Sequence, residues 1–309
     1  MGHRVNILAY FEERYVPSRL NLSEAGALQM RIAIRQFSDL TTTAAIADLT
    51  DTTIVLYLRA LLKKGLSPAT VNTRRGYLLV LWTHAFKAGV NPHDPRLADV
   101  QRAVEPKRQP KAWSVGDVRV MLEQAEKTRR RGSCGWSAKE WQALILLVYY
   151  TGLRIGAVLH LRREHLRGHL LFVPAEIQKD REEMVFRLPE HLCRMLLSMP
   201  RPLLVRHGRN IGEYLLPWPW AFHDPQGKFT YHILRPAGLP ISRHLKFHAI
   251  RRTVATLVDH HCGRDAAMRI MGHSSQKVTE RYLADAHTVD PSLPGRLCPV
   301  DVLPILEVG

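Results

Sequence analysis

Cysteine is scarce in this chain. The four present, Cys134, Cys193, Cys262 and Cys298, are scattered and form no C-x-x-C pair, which argues against a disulfide framework and for reduced thiols in a cytosolic protein. Long apolar runs are missing as well. The most apolar stretch, Ala143 to Tyr150, is far too short to span a bilayer. The opening MGHRVNILAYFEERY carries charges within its apolar stretch and has no small-residue cleavage site, unlike a signal peptide. The glycines and lysine of a phosphate-binding loop are absent around Thr151-Gly152. No internal repeat or low-complexity segment occurs. Acidic residues are too few to balance the basic ones: 28 Asp and Glu face 44 Lys and Arg, a formal net charge of +16. An excess of that size calls for a polyanion, whose phosphates take up Lys and Arg while releasing counterions. With no membrane segment, the protein is expected where DNA is.

What is present suffices for two ordinary domains, 309 residues of which 46% are hydrophobic. The first part reads as helices. Ser23-Glu24 opens one through Leu28, Ile32, Ile34 and Phe37. Asp51 can cap the next, which carries Ile54, Tyr57, Leu58, Leu61 and Leu62 and ends at Gly65. Ser67-Pro68 pairs an N-cap serine with proline at the first helical position, and Asn91-Pro92 stops the helix that follows. Lys63, Lys64, Arg74 and Arg75 place basic side chains near helix ends. Residues 104–112, VEPKRQPKA, read as a basic linker with two prolines.

Beyond it Ser114 caps a helix, and Ser137 with Glu140 forms a capping box before the apolar helix Trp141 to Tyr150. Leu170 to Val173 and Met184 to Leu188 read as strands, and the polar stretch between them as the exposed tip of a hairpin. Further helices are expected at Glu190 to Ser198, around His248 to His260, and around Ser275 to Leu283. His260, His261 and Cys262 are adjacent residues that diverge on a helix, so they read as a helix end capped by Gly263 rather than as a metal site. The stretch LLPWPWAF, Leu215 to Phe222, has no evident role in the sequence.

Three segments carry chemistry: Tyr150-Thr151-Gly152-Leu153-Arg154-Ile155-Gly156, then Lys246-Phe247-His248-Ala249-Ile250-Arg251-Arg252-Thr253, then Met271-Gly272-His273-Ser274-Ser275 followed by Thr279-Glu280-Arg281-Tyr282. Each alone is weak, since TGLR could open any helix and H-x-x-R puts two basic side chains on one helix face. In this order and spacing they resemble the signature of the tyrosine recombinase, or phage integrase, family, with a Xer-like cast. The resemblance implies a mainly α fold with a small β-hairpin in the catalytic domain. It divides the chain into a helical core-binding domain (1–103), the linker (104–112), a catalytic domain (113–290) and a C-terminal tail (291–309). The tail, proline-interrupted and then apolar, could dock on a neighbouring protomer.

The resemblance further implies that Arg154, His248, Arg251, His273 and Tyr282 converge on one DNA phosphate, with Tyr282 as nucleophile. Two guanidiniums suit the two non-bridging oxygens, because arginine stays charged and offers a planar fork. A lysine on the hairpin protonates the leaving 5′ oxygen, and Lys179 is the candidate. Arg181 nearby is a poor proton donor, because a guanidinium keeps its proton. No metal, ATP or other cofactor is implied. The partners are double-stranded DNA carrying recombination sites and three further copies in a tetramer on it. Two departures stand out: Ala157 replaces an acidic residue that usually follows the first arginine by three positions, and Arg252 replaces a histidine. The alternatives are a catalytically silent DNA-binding accessory protein and a type IB-like topoisomerase. That the chain enters its core-binding helices at once favours a simple recombinase over a large phage integrase.

Overall fold

The structure is a computed structural model that describes residues 5–97, 99–106, 110–129, 136–202, 205–206, 208–220 and 224–272. His273, Tyr282, the helix expected around Ser275 to Leu283 and the 291–309 tail lie outside the described residues. The chain forms two compact units, Met1–Lys107 and Arg108–Gly309.

The first unit is helical. It comprises α1 (Ile7–Tyr10), which runs into a π-helical turn at Phe11–Tyr15, then α2 (Glu24–Thr41), α3 (Asp51–Lys63) and α4 (Pro68–Lys87). Ser23 and Ser67 cap α2 and α4, each accepting a backbone N–H from the residue three positions on. The cap of α3 is Thr50 rather than Asp51. Thr50 and Thr53 satisfy one another reciprocally, and Asp51, already in the first turn, accepts from the Thr52 N–H at 2.7 Å. The apolar stripes of these helices meet in one core containing Phe11, Ile34, Phe37, Tyr57, Leu61, Leu78, Leu81 and Trp82. Buried Asn91 closes the unit by donating to the carbonyls of Ile46 and Leu49 at 2.8 and 3.0 Å. Arg74 and Arg75 lie in the second turn of α4 and are both engaged, donating to the carbonyls of Gln29 and Val100 at 2.6 and 2.7 Å.

The two ends of the proline-containing segment have separate attachments. Glu105 accepts from the Asn72 amide at 2.6 Å. Lys111 offers its carbonyl to Arg252 at 3.3 Å, and Trp113 donates its backbone N–H to the Thr253 hydroxyl at 3.0 Å.

The second unit is built around α6 (Ala138–Thr151), preceded by α5 (Val115–Glu126) and followed by the short α7 (Ile155–His160). Helix α6 is buried almost all round, from Trp141 to Tyr149, as a helix without a polar face must be. Buried Glu140 accepts from the Ser137 backbone N–H at 3.0 Å at its start. A three-stranded antiparallel sheet follows, β1 (Leu166–Arg167), β2 (Leu170–Val173) and β3 (Met184–Arg187), in that spatial order. Leu171 pairs with Phe186 and Val173 with Met184, which puts buried Leu171 and Val173 on the core side of β2. Helix α8 (Glu190–Leu197), the ribbon β4 (Val205–Arg206) and β5 (Arg209–Asn210), and α9 (Pro225–Phe229), which continues as a π-helical turn to Leu234, lead to α10 (Phe247–Cys262) and α11 (Arg264–Met271). Helices α5, α8 and α10 pack on α6, and α11 packs on α10.

The tryptophan-rich loop has a packing role. Trp218 and Trp220 join Trp136 and Trp141 in one cluster, with ring centroids 4.8 Å apart for Trp136–Trp218 and for Trp218–Trp220. The Trp136 indole N–H donates to the Pro217 carbonyl at 2.9 Å. Aromatic edges meeting faces in this way add to what burial alone contributes.

Candidate active site

The TGLR segment works residue by residue. Thr151 is buried; its hydroxyl donates to the Leu147 carbonyl at 2.6 Å and accepts from the Leu153 N–H at 3.2 Å. Gly152 ends α6 with φ +63°, a left-handed conformation open to glycine at no steric cost. Leu153 is buried in the core. Only Arg154 turns partly outward, as the cap residue in extended backbone before α7. A Cβ on Gly152 would come within 2.6 Å of the Met271 methyl and 3.3 Å of Val254 Cγ1. Gly152→Ala is therefore expected to destabilise the second unit by about 2–4 kcal/mol, combining left-handed strain with overpacking. Thermal unfolding measures this, and an unchanged midpoint counts against the close approach.

The H-x-x-R-x-T segment opens α10. Phe247 is buried and stacks on Phe229, with centroids 4.1 Å apart. His248 is exposed. Arg251, one turn on, is only 2% exposed, so the two basic side chains do not share a solvated face. The Arg251 guanidinium donates through Nη1 to the Gly152 carbonyl at 2.5 Å and through Nη2 to the Met271 carbonyl. It thereby ties the turn that presents Arg154 to the end of α11, two residues before His273. Thr253 accepts the Trp113 N–H and donates to the Trp113 carbonyl at 2.6 Å, anchoring the entering chain. Gly272 ends α11 with φ +57°.

The third contribution is the tip of the β2–β3 hairpin. Lys179 is exposed there, while its neighbour Asp180 pairs with Arg154 through Oδ2 and Nη1. Four stretches far apart in sequence are thus joined: the turn at Gly152–Arg154, the tip at Lys179–Asp180, α10 at Arg251, and the end of α11. His248 lies one turn before Arg251 in the same helix. His273 and Tyr282, outside the described residues, follow Gly272 in the chain. Asp180 is the group that sequence reasoning missed; the missing acid at position 157 was the only hint that Arg154 would need a partner from elsewhere.

Arg252 lies apart from these bonds, donating to the Lys111 carbonyl. His260 and His261 fall in the last turn of α10, with ring centroids 4.8 Å apart and Gly263 next in line. Among the described residues, no three His, Cys, Asp or Glu side chains are grouped so as to hold a metal ion, and no helix is long and apolar enough to cross a membrane.

Solved structures share this fold. The integrase of the Tn1549 transposon, bound to a circular intermediate DNA, superposes with a TM-score of 0.69 at 15% identity, over 91% of this chain and 95% of that one. A lambda integrase tetramer bound to a Holliday junction matches with a TM-score of 0.69 at 15% identity, over 92% of this chain and 79% of that one. The fold is thus the mainly helical one with a small antiparallel sheet that these integrases have. The phage integrase family model matches residues 121–288, and the chain belongs to that family. A curated relative, the tyrosine recombinase XerC of Rickettsia massiliae, is 28% identical over 190 residues, 56% of this chain and 55% of that protein. The chain spans about half the length of the curated relatives it matches.

Proposed function

We propose that this chain is a site-specific DNA recombinase that cuts and rejoins DNA through a 3′-phosphotyrosine on Tyr282, without metal or ATP. The observation that carries the reading is the convergence built by Arg251 and Arg154, which joins the segments of three separate motifs through buried or half-buried bonds. In this mechanism the Tyr282 oxygen attacks the phosphorus, the new P–O bond forms, and the bond to the 5′ oxygen breaks. Arg154 and Arg251 offset the charge that grows on the non-bridging oxygens. Lys179 gives the departing 5′ oxygen its proton, and His248 and His273 hydrogen-bond the phosphate or take up the phenol proton. Attack by another strand's 5′ hydroxyl reverses the step and frees the tyrosine. The bond energy is kept in the phosphotyrosine, so no external energy source enters.

The net charge of +16 supports duplex DNA as the partner. We assign core binding to residues 1–103, a linker to 104–112 and catalysis to 113–290. The working form is a tetramer on paired sites, to which the 291–309 tail contributes by docking on a neighbour. A prokaryotic setting on the nucleoid, in a mobile element or its host, fits this activity.

The test is a nicked duplex carrying a recombination site, to be sought as inverted repeats of about one helical turn in the DNA flanking the gene. Protein should become covalently attached to its 3′ end, equally with and without EDTA; loss of the adduct in EDTA would revive metal chemistry. Lys179→Ala should lose most of the cleavage rate on ordinary DNA and recover it on a 5′-bridging phosphorothioate, whose leaving group needs no proton. Recovery in Arg181→Ala instead would move the general acid to Arg181.

A further inference from the structure

We infer that Asp180 is the positioning residue for Arg154, holding it from the hairpin because its own helix offers no acceptor; this rests on the reading of Arg154 as a phosphate ligand. An arginine beside a reacting phosphate is useful only if its long side chain is held, since a misplacement of about 1 Å can cost on the order of 100-fold in rate. Arg154 begins a helix of six residues whose next turn presents Ala157, small, buried and without an acceptor. Among the described residues, its side-chain partner is Asp180. Among the described residues that pair engages a single terminal nitrogen, and a guanidinium fork has further N–H groups to give a phosphate.

The hairpin tip is shaped to deliver this carboxylate. Of the five consecutive charged residues from Lys179 to Glu183, only Asp180 is turned inward; the other four are exposed. Buried Gln178 closes the tip by donating its amide to the Glu182 carbonyl at 2.6 Å. Arg181 adopts φ +57°, uncommon for a residue with a side chain. Asp180 also faces the end of α11, since a Cβ on Gly272 would lie 3.1 Å from its Oδ2. One carboxylate therefore sets Arg154 against both the tip that bears Lys179 and the residue that precedes His273. A solvated turn has no need of such an arrangement.

Single-turnover cleavage of the nicked duplex tests this with Asp180→Asn, Asp180→Ala, Arg154→Ala and the charge control Glu183→Gln. Asp180→Asn keeps an acceptor but loses the charge, and should cleave roughly 10-fold more slowly; Asp180→Ala should fall by about 100-fold. Binding to the duplex should hold in both, and Glu183→Gln should match the parent. The defects should persist on the 5′-bridging phosphorothioate, because Arg154 acts on the non-bridging oxygens. A tip that merely misfolds would misplace Lys179, and that defect would disappear on the phosphorothioate. Should Asp180→Ala melt early, the isosteric Asn variant carries the comparison. Parental rates in the Asp180 variants overturn the inference, as does recovery on the phosphorothioate. Faster cleavage also overturns it, because Asp180 would then be occupying the phosphate's place. If Arg154→Ala is slow while the Asp180 variants are not, this inference alone falls; if Arg154→Ala also cleaves at the parental rate, the reading of the site falls with it.

Discussion

Tyr282→Phe is expected to abolish covalent attachment to DNA while leaving folding and duplex binding intact. The substitution removes one hydroxyl and keeps the ring, so nothing but the proposed nucleophile is lost. No other group proposed for the site can form the same phosphodiester-like bond to a 3′ end. The effect should be complete, with no adduct on a denaturing gel after overnight incubation with the nicked duplex. An adduct that survives in the Phe variant moves the nucleophile elsewhere in the chain. Loss of duplex binding together with loss of adduct would leave Tyr282 a structural part instead.

The two arginines should fail in different ways, although both sit in the proposed phosphate site. Arg154 is partly exposed and its pair with Asp180 is solvent-screened, with side chains about a quarter exposed. Arg154→Ala should therefore cost little stability, in the range of about 0–1 kcal/mol for such pairs, but about 100- to 1000-fold in cleavage, as for an oxyanion donor. Arg251 is buried and satisfies two carbonyls. Arg251→Ala should lose cleavage to at least the same extent and also destabilise the second unit, by about 1–3 kcal/mol for each carbonyl left without its donor. Arg251→Lys restores charge but not a two-pronged tie, and should recover little of either. Chemical denaturation beside single-turnover cleavage separates the cases. An Arg251→Ala protein as stable as its parent would show that the two bonds contribute nothing, and parental cleavage by Arg154→Ala would remove it from the site.

How far the sequence foretold these features depends on how local their causes are. Caps are local, so Ser23, Ser67, Ser114 and the Ser137–Glu140 pair could be placed from neighbouring residues alone. Where two capping residues stand side by side, as at Thr50-Asp51, the choice turned on Thr53 three positions on. Strands β2 and β3 were legible because a polar connector separates two short apolar runs. Helix α11 was not, since only Ala267 and Met271 of its eight residues are buried, too few to mark a period. The burial of Arg251 depends on carbonyls that lie 99 and 20 residues away. The inward turn of Asp180 depends on the backbone of Arg181 and the buried amide of Gln178. In the string QKDREE nothing distinguishes that aspartate from its neighbours.

The tryptophan cluster has an optical consequence. The chain holds six tryptophans, Trp82, Trp113, Trp136, Trp141, Trp218 and Trp220, and only Trp82 belongs to the first unit. Four of the remaining five are packed with ring centroids about 5–6 Å apart, close enough for excitation to pass among them and for their transitions to couple. Near-ultraviolet circular dichroism and emission from this chain therefore report chiefly on the second unit. Trp82, buried in the core of the first unit, is that unit's one tryptophan, and its removal would leave the unit without tryptophan emission. Unfolding of the two halves can then be followed separately, without attaching any dye.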